Sequence, residues 1–213
     1  LQATFVSEPY DKAARLGLGD ESALQIRKRF PKANGVLVLK RYNPGGPLDG
    51  VMKPGDILLE VNGVPLVEFL ALEDILDSKV NDKIKLSIER GGEALEVEVI
   101  VDDLHRITPD RFVEGCGATL NGLSYQMARH YSLPIYGVYV AASGYCFENV
   151  GLSRNDVIVG VDDQLTPDIT SFYEAIQSVP DNTDMQVAFF SLNDPARIQY
   201  AIVRWDRKWF PLS

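Results

Sequence analysis

The chain has 213 residues, of which 46% are hydrophobic and 24% charged, a composition typical of a globular protein. A formal net charge of −9 argues against binding to the phosphate backbone of nucleic acid, which needs clustered Lys and Arg. No apolar run approaches the roughly 20 residues that span a membrane. The two cysteines, Cys116 and Cys146, belong to a chain too large to need a disulfide, which favours a reducing compartment.

The first elements are a strand, two helices and a second strand. Residues 1–6 form a strand and lack the features of a signal peptide. Short helices are predicted over residues 10–18, ending in a Gly-Leu-Gly signal, and over residues 20–30, ending at Pro31. A compact apolar run at residues 36–39 then predicts a buried strand.

The strongest local pattern runs from Gly50 to Gly63, with the sequence GVMKPGDILLEVNG. A Pro-Gly turn, a buried strand and an Asn-Gly turn follow one another in it. The pattern returns after a shift of 100 residues, where Asp156 matches Asp56 and the apolar run VIV matches ILL. Both aspartates are predicted to cap their turns rather than to form a catalytic pair, because each begins a strand in a separate repeat.

A helix and a hairpin complete each repeat. An apolar stripe at the spacing of a helix predicts a helix over residues 68–77, and the same stripe recurs over residues 168–177. Alternating residues on both sides of Gly91-Gly92 predict a β-hairpin, because a two-residue turn of this kind needs positive φ. Strands near residues 185–191 and 197–205 predict the second hairpin.

The connector at residues 102–109 breaks both periodicities and places the domain boundary near Thr108. We therefore predict two domains, residues 1–107 and residues 108–213. The second repeats the order of the first, with a strand at residues 117–120, a helix at 124–131 and a strand at 137–140. The fold class is α+β.

With these motifs in place, each repeat resembles a PDZ domain in the circularly permuted arrangement of HtrA/Deg serine proteases. Residues 50–63 are similar to the family pattern G-L-x-x-G-D-[IV]-[IL]-x-x-[IV]-N-G. The segments DLHRITPDRF at residues 103–112 and LSYQMAR at residues 123–129 resemble the double-length HtrA proteins of fungi and plants. The resemblance implies two PDZ-like domains, each a small, partly open antiparallel β-barrel or sandwich with two or three helices.

The resemblance also implies a peptide-binding groove between an edge strand and a helix in each domain, where an extended peptide adds as a further strand. The residues implied for the first groove are Leu1, Gln2, Ala3, Thr4, Phe5, Phe69, Leu72 and Leu76. Those for the second are Gly117, Ala118, Thr119, Leu120, Ile169, Phe172 and Ile176. The apolar residues of each helix are equally consistent with plain core. In the second domain Asn155, Asp162-Asp163 and the Gly115-Cys116-Gly117 loop depart from the pattern, which leaves a closed or occupied groove open.

No catalytic or cofactor site is predicted. The Gly-Asn-Ser-Gly-Gly motif of the family's nucleophile is absent, and His105 and His130 are the only histidines. His105 lies in a connector and His130 at a helix end, so neither is expected to be catalytic. Neither cysteine has a partner at zinc-ligand spacing, and no metal or cofactor is expected.

The sequence therefore predicts a non-catalytic tandem PDZ segment of an HtrA-like serine protease, binding extended or C-terminal peptides or unfolded segments and acting with a protease domain of the parent chain. The alternative is a scaffold with closed or occupied grooves, and a homo-oligomer is compatible with both. The fungal relatives imply a nuclear or cytoplasmic location and the plant relatives a chloroplast. The aromatic segment at residues 205–210 is predicted to pack on its own module or to dock on a neighbour.

Overall fold

The computed structural model describes residues 1–207 and divides into two compact units. The first unit ends at Leu104 and the second begins at His105, within the connector identified by its broken periodicity. No helix among the described residues is long and apolar enough to cross a membrane.

The first unit is an antiparallel sheet with helices on both faces. Its strands are β1 (Ala3–Pro9), β2 (Gly35–Tyr42), β3 (Ile57–Val61), β4 (Val64–Pro65), β5 (Lys83–Arg90) and β6 (Glu93–Ile100). Its helices are α1 (Tyr10–Leu16), α2 (Asp20–Arg29) and α3 (Phe69–Asp77). The strand order is β1-β2-β3-β5-β6, with β4 paired to β3, so β1 lies at one edge.

Alternation along β2 explains why this sheet is covered on both faces. Leu37 and Leu39 belong to the apolar cluster that includes Leu72 of α3. Val36 and Val38 belong to a second cluster, formed with residues of α1 and α2. Because successive side chains of a strand point to opposite faces, a continuous apolar run predicts a strand buried on both sides.

The second unit repeats this plan with one extra strand at its edge. Its strands are β7 (Phe112–Gly115), β8 (Ala118–Gly122), β9 (Val138–Ala142), β10 (Asp156–Val161), β11 (Gln164–Leu165), β12 (Thr183–Ser191) and β13 (Asp194–Trp205). Its helices are α4 (Tyr125–Tyr131), α5 (Gly144–Glu148) and α6 (Ile169–Ser178). The order is β13-β12-β10-β9-β8-β7, with β11 paired to β10. Within residues 1–207 neither sheet closes into a barrel, and the predicted α+β class is confirmed.

Two turn positions have the same backbone conformation in both units despite their different residues. Asn62 and Asp162 both adopt left-handed backbone conformations, with φ of 51° and 49°. Gly55 and Asn155 match in the same way, with φ of 98° and 78°. Asn and Asp tolerate this region better than other residues with a side chain. The substitutions at these two positions therefore preserve the backbone conformation.

Trp205, the first residue of the aromatic segment, is fully buried in the core of its own unit. Its ring lies 6.3 Å from that of Phe147, between centroids. The remainder of that prediction, residues 208–210, lies outside the described residues.

Candidate peptide-binding grooves

The first groove is the surface between β1 and α3. Among residues 1–207, β1 pairs only with β2, which leaves its other edge without a strand. Ala3 and Phe5 on β1 and Leu76 on α3 are partly exposed and pack against the same apolar cluster. An edge strand next to an exposed apolar helix is the arrangement that accepts an extended peptide.

The three helix residues predicted for this groove differ in how deeply they are buried. Phe69, the first residue of α3, is 42% exposed, whereas Leu72 is 4% exposed and belongs to the core. Leu76 lies between these extremes. Phe69 and Leu76 are therefore the helix side chains that a ligand can reach.

Leu1, Gln2 and Thr4 complete the residues predicted on the strand side. Leu1 packs against the apolar cluster beside Ala3 and Phe5. Gln2 has a left-handed backbone with φ of 51°, and its Nε2 donates a hydrogen bond of 2.6 Å to the carboxylate of Asp102. Thr4 pairs with Arg41 of β2. The start of β1 is thus anchored to the end of the last strand in its unit.

The second groove contains a strand of the protein itself. Strand β7 pairs antiparallel with β8 and also contacts α6, so it occupies the space between the edge strand and the helix. Val113 is 5% exposed and joins the apolar cluster that holds Leu120 and Phe172. Phe112 points outward and is 61% exposed. The groove that the sequence predicted from residues 117–120 and α6 is therefore filled.

Every apolar residue predicted for the second groove is buried. The exposed fractions are 1% for Ala118, 0% for Leu120, 8% for Ile169, and 0% for both Phe172 and Ile176. Thr119, whose side chain points to the opposite face, is partly exposed and pairs with Glu114 of β7. Ile169 also lines a pocket beside the connector, with Ile107, Pro109, Leu123 and Ile135 among its walls.

The loop at residues 115–117 is a hairpin turn. Cys116 and Gly117 have φ of 54° and 75°, and they join the paired residues Gly115 and Ala118. Two successive residues at positive φ are characteristic of a tight β-hairpin turn. The sequence already indicated that this loop departs from the family pattern, and in the structure the chain turns there into β8.

A disulfide holds this turn against α5. Cys116 and Cys146 are bonded, with a Cα–Cα distance of 5.5 Å. The backbone carbonyl of Cys116 also accepts a hydrogen bond of 3.2 Å from the N–H of Tyr145. The size of the chain gave no reason to expect this bond, because a large core does not require one.

Helix α6 has a stronger N-terminal cap than α3. Asp168 Oδ1 accepts a hydrogen bond of 2.8 Å from the backbone N–H of Ser171, and the Ser171 hydroxyl lies 3.2 Å from the Asp168 N–H, which completes a capping box. The backbone hydrogen bond from Ser171 lowers the pKa of Asp168. The equivalent Glu68 forms no side-chain cap on α3.

The conserved-looking aspartates of the two repeats are structural in both units. Asp56 Oδ2 accepts a hydrogen bond of 2.7 Å from the N–H of Lys53 and forms a bidentate pair with Arg90. The hydrogen bonds that Arg90 donates to the Asp56 carboxylate raise the pKa of Arg90. Asp156 accepts a bond of 2.8 Å from the N–H of Ser153. Both carboxylates thus close the turn that precedes a core strand, as predicted.

The described residues contain no group of three or more His, Cys, Asp and Glu side chains that could hold a metal ion. His130 lies in the last turn of α4, with its ring 4.8 Å from that of Tyr131, and His105 is the first residue of the second unit.

Strand β7 is the functional element that the sequence prediction missed. Phe112 ended the segment that resembles HtrA proteins, Val113 and Glu114 were assigned to no element, and the Gly-Cys-Gly segment was interpreted as a loop. A usable signal exists: Val113 is an apolar residue between Phe112 and Glu114, followed by a two-residue Cys-Gly connection to another apolar strand. The run is shorter than a typical strand, which hides the alternation.

Comparison with known proteins relates the chain to serine proteases. The family model of a PDZ-like domain matches residues 106–182. The pro-apoptotic serine protease NMA111 of Chaetomium globosum is 41% identical over 209 residues, which are 98% of this chain and 20% of that protein. Residues 106–182 thus match a PDZ-like domain, and the chain is similar to a segment of these proteases. The NMA111 protease of Yarrowia lipolytica is 39% identical over 212 residues, 98% of this chain and 22% of that protein.

The chain spans about a fifth of the length of the curated relatives it matches. Among solved structures, the HtrA3 PDZ domain bound to a phage-derived ligand aligns with a TM-score of 0.34 and 17% identity, over 48% of this chain and 84% of that one. The resemblance to HtrA-type serine proteases stated from the sequence is confirmed by the NMA111 relatives.

Proposed function

We propose that this PDZ segment is non-catalytic and binds extended peptides in the first groove, where it recruits substrate to, or regulates, the protease domain of a longer parent chain. The observation that carries the proposal is the edge of β1, which is unpaired within residues 1–207 and lies beside the exposed apolar residues of α3. Backbone N–H and C=O groups of such an edge supply affinity, and the apolar surface selects side chains.

The relatives support this role because they are serine proteases in which the matched segment is about a fifth of the length. Substrate recruitment by a module outside the catalytic domain is consistent with that small share. We propose three kinds of partner for the chain: free peptides, unfolded protein segments and the protease domain of the parent chain.

The second unit supports a different role in the same segment. Because β7 fills its groove, we propose that this unit acts as a structural module in its resting state. The two halves of the chain would then divide the two functions that the sequence left as alternatives, peptide binding in the first unit and scaffolding in the second.

Peptide binding by the purified chain tests the first role. We expect ligands to be selected from a random peptide library and to bind the wild type at micromolar concentrations. Leu76→Lys should abolish binding because it places a charge beside Ala3 and Phe5 in the groove. Leu70→Lys is the matched control, since Leu70 lies on the same helix, is 67% exposed and is not part of the cluster.

Circular dichroism should show that both variants fold. A wild-type chain that binds no peptide at high micromolar concentration, or equal losses in both variants, would contradict the proposal. Hydrolysis of casein by the purified chain would contradict the non-catalytic assignment.

A further inference from the structure

Strand β7 is placed and oriented as a ligand strand would be. It runs antiparallel to β8 and lies between β8 and α6. Its side chains alternate, with Val113 and Gly115 buried and Phe112 and Glu114 exposed. A bound peptide also turns every second side chain into its groove.

The edge strand beneath β7 is equivalent to the open edge of the first unit. Ala3-Thr4-Phe5 on β1 corresponds to Ala118-Thr119-Leu120 on β8, and the same register irregularity follows the threonine in both strands. Strand β7 therefore lies beyond the edge strand of the second unit, at a position where β1 has no neighbouring strand within residues 1–207.

The contacts of β7 define the ligand chemistry of the filled groove. Val113 stands opposite Leu120 and is buried in the cluster with Ile176 and Phe172. Gly115 stands opposite Ala118 and is also buried. The groove thus accepts a β-branched aliphatic side chain and, two residues later, a residue without a side chain.

Strand β7 is held by short covalent connections. The two-residue turn at Cys116-Gly117 joins it to β8, and the disulfide to Cys146 fixes that turn. A tethered segment competes at a high effective concentration, in the millimolar range for a short flexible link. A free peptide therefore cannot readily displace β7 from the wild-type chain.

We propose that β7 is an intramolecular ligand, and that the second groove is a latent peptide-binding site. When β7 is displaced, the site binds an extended segment with an aliphatic residue opposite Leu120 and glycine opposite Ala118. This inference concerns the second groove alone, so it stands or fails independently of peptide binding in the first.

A synthetic peptide with the sequence of residues 108–115, labelled for fluorescence anisotropy, is the probe. It is added to the full chain carrying Val113→Asp, which places a charge where an apolar side chain is buried and so favours release of β7. We expect this variant to bind the probe and the wild type not to bind it. Phe112→Asp is the matched control, because the neighbouring Phe112 points to solvent, and should behave as the wild type.

A milder variant keeps the test valid if Val113→Asp unfolds the unit. Val113→Ala removes methyl groups without introducing a charge, and we expect it to bind the probe more weakly than Val113→Asp does. A probe peptide carrying the Val113→Asp change should bind either variant roughly tenfold to a hundredfold more weakly than the original probe, the ratio expected from losing one buried aliphatic side chain.

Binding must also be assigned to the second groove. Leu76→Lys, combined with Val113→Ala, should leave probe binding unchanged, since Leu76 belongs to the first groove. Loss of binding in this double variant would overturn the proposal, because the probe would then occupy the first groove. No binding by a folded Val113→Ala chain, or equal binding by Phe112→Asp, would overturn it as well.

Hydrogen exchange of the wild type supplies a measurement without substitutions. If β7 is a displaceable ligand, the amides of β7 should exchange by local opening, many times faster than those of the central strand β10. Exchange of both strands at the same rate, through global unfolding only, would show that β7 is an inseparable part of the sheet.

Discussion

In the first groove the side chains of Ala3 and Phe5 remain partly exposed, whereas their counterparts Ala118 and Leu120 are buried beneath β7. The exposure of the groove helices differs in the same way, since Phe69 of α3 is 42% exposed and the equivalent Ile169 of α6 only 8%. The edge strands have nearly the same sequence and the same register. The comparison shows that a short strand on the edge converts an exposed apolar surface into core.

The largest expected effect comes from matched truncations of the two helices. Ile176→Ala should lower the free energy of unfolding of the second unit by about 2–5 kcal/mol, because Ile176 is fully buried. Leu76→Ala should cost the first unit less, since Leu76 is partly exposed in the open groove. Urea denaturation monitored by hydrogen exchange in each unit measures both values, and equal losses would contradict the difference between the grooves.

Removal of the disulfide is expected to have a somewhat smaller effect, confined to the second unit. The bond closes a loop with a sequence separation of 30, for which chain entropy predicts a stabilisation of about 3.6 kcal/mol. The Cys116→Ser/Cys146→Ser variant should therefore unfold at lower urea concentration in the second unit only. A reducing agent should destabilise the wild type similarly and leave the double variant unchanged. Unchanged stability of the double variant would mean that the bond does not stabilise this unit.

The smallest expected effect concerns the helix caps. Asp168→Ala should destabilise the second unit by about 1 kcal/mol, because the capping box of α6 is lost. Glu68→Ala is the control and should have almost no effect, because Glu68 makes no side-chain cap on α3. Comparable losses from the two substitutions would contradict this difference.

The Asp168 cap also predicts a dependence on pH. The pKa of Asp168 is lowered in the folded state, so its contribution is present above the unfolded value near about 4 and is lost as the pH falls through the folded value. The difference in stability between the wild type and Asp168→Ala should therefore shrink under acidic conditions. A difference that stays constant across this range would exclude the ionised cap as its cause.

The sequence predicted most of the fold because the information was local and repeated. The Gly50–Gly63 pattern and its copy predicted β3 and β10 with their turns, and the helical stripes predicted α3 and α6. The Gly91-Gly92 turn predicted the β5–β6 hairpin, and both glycines adopt positive φ. The residues of the first groove followed from the family resemblance and stay a prediction, and Leu72 among them is buried in the core.

The sequence by itself determined the duplication, the fold class and the relationship to HtrA-type proteases, because periodicity, turn residues and motifs are properties of neighbouring residues. Only the tertiary structure decided which groove is open. The filling of the second groove depends on Val113 of β7 meeting Phe172 of α6, residues far apart in the chain. The disulfide between Cys116 and Cys146 likewise depends on a distance that the fold creates. Strand pairing over an edge is a non-local contact, so edge strands that begin with similar residues can be uncovered in one unit and covered in the other.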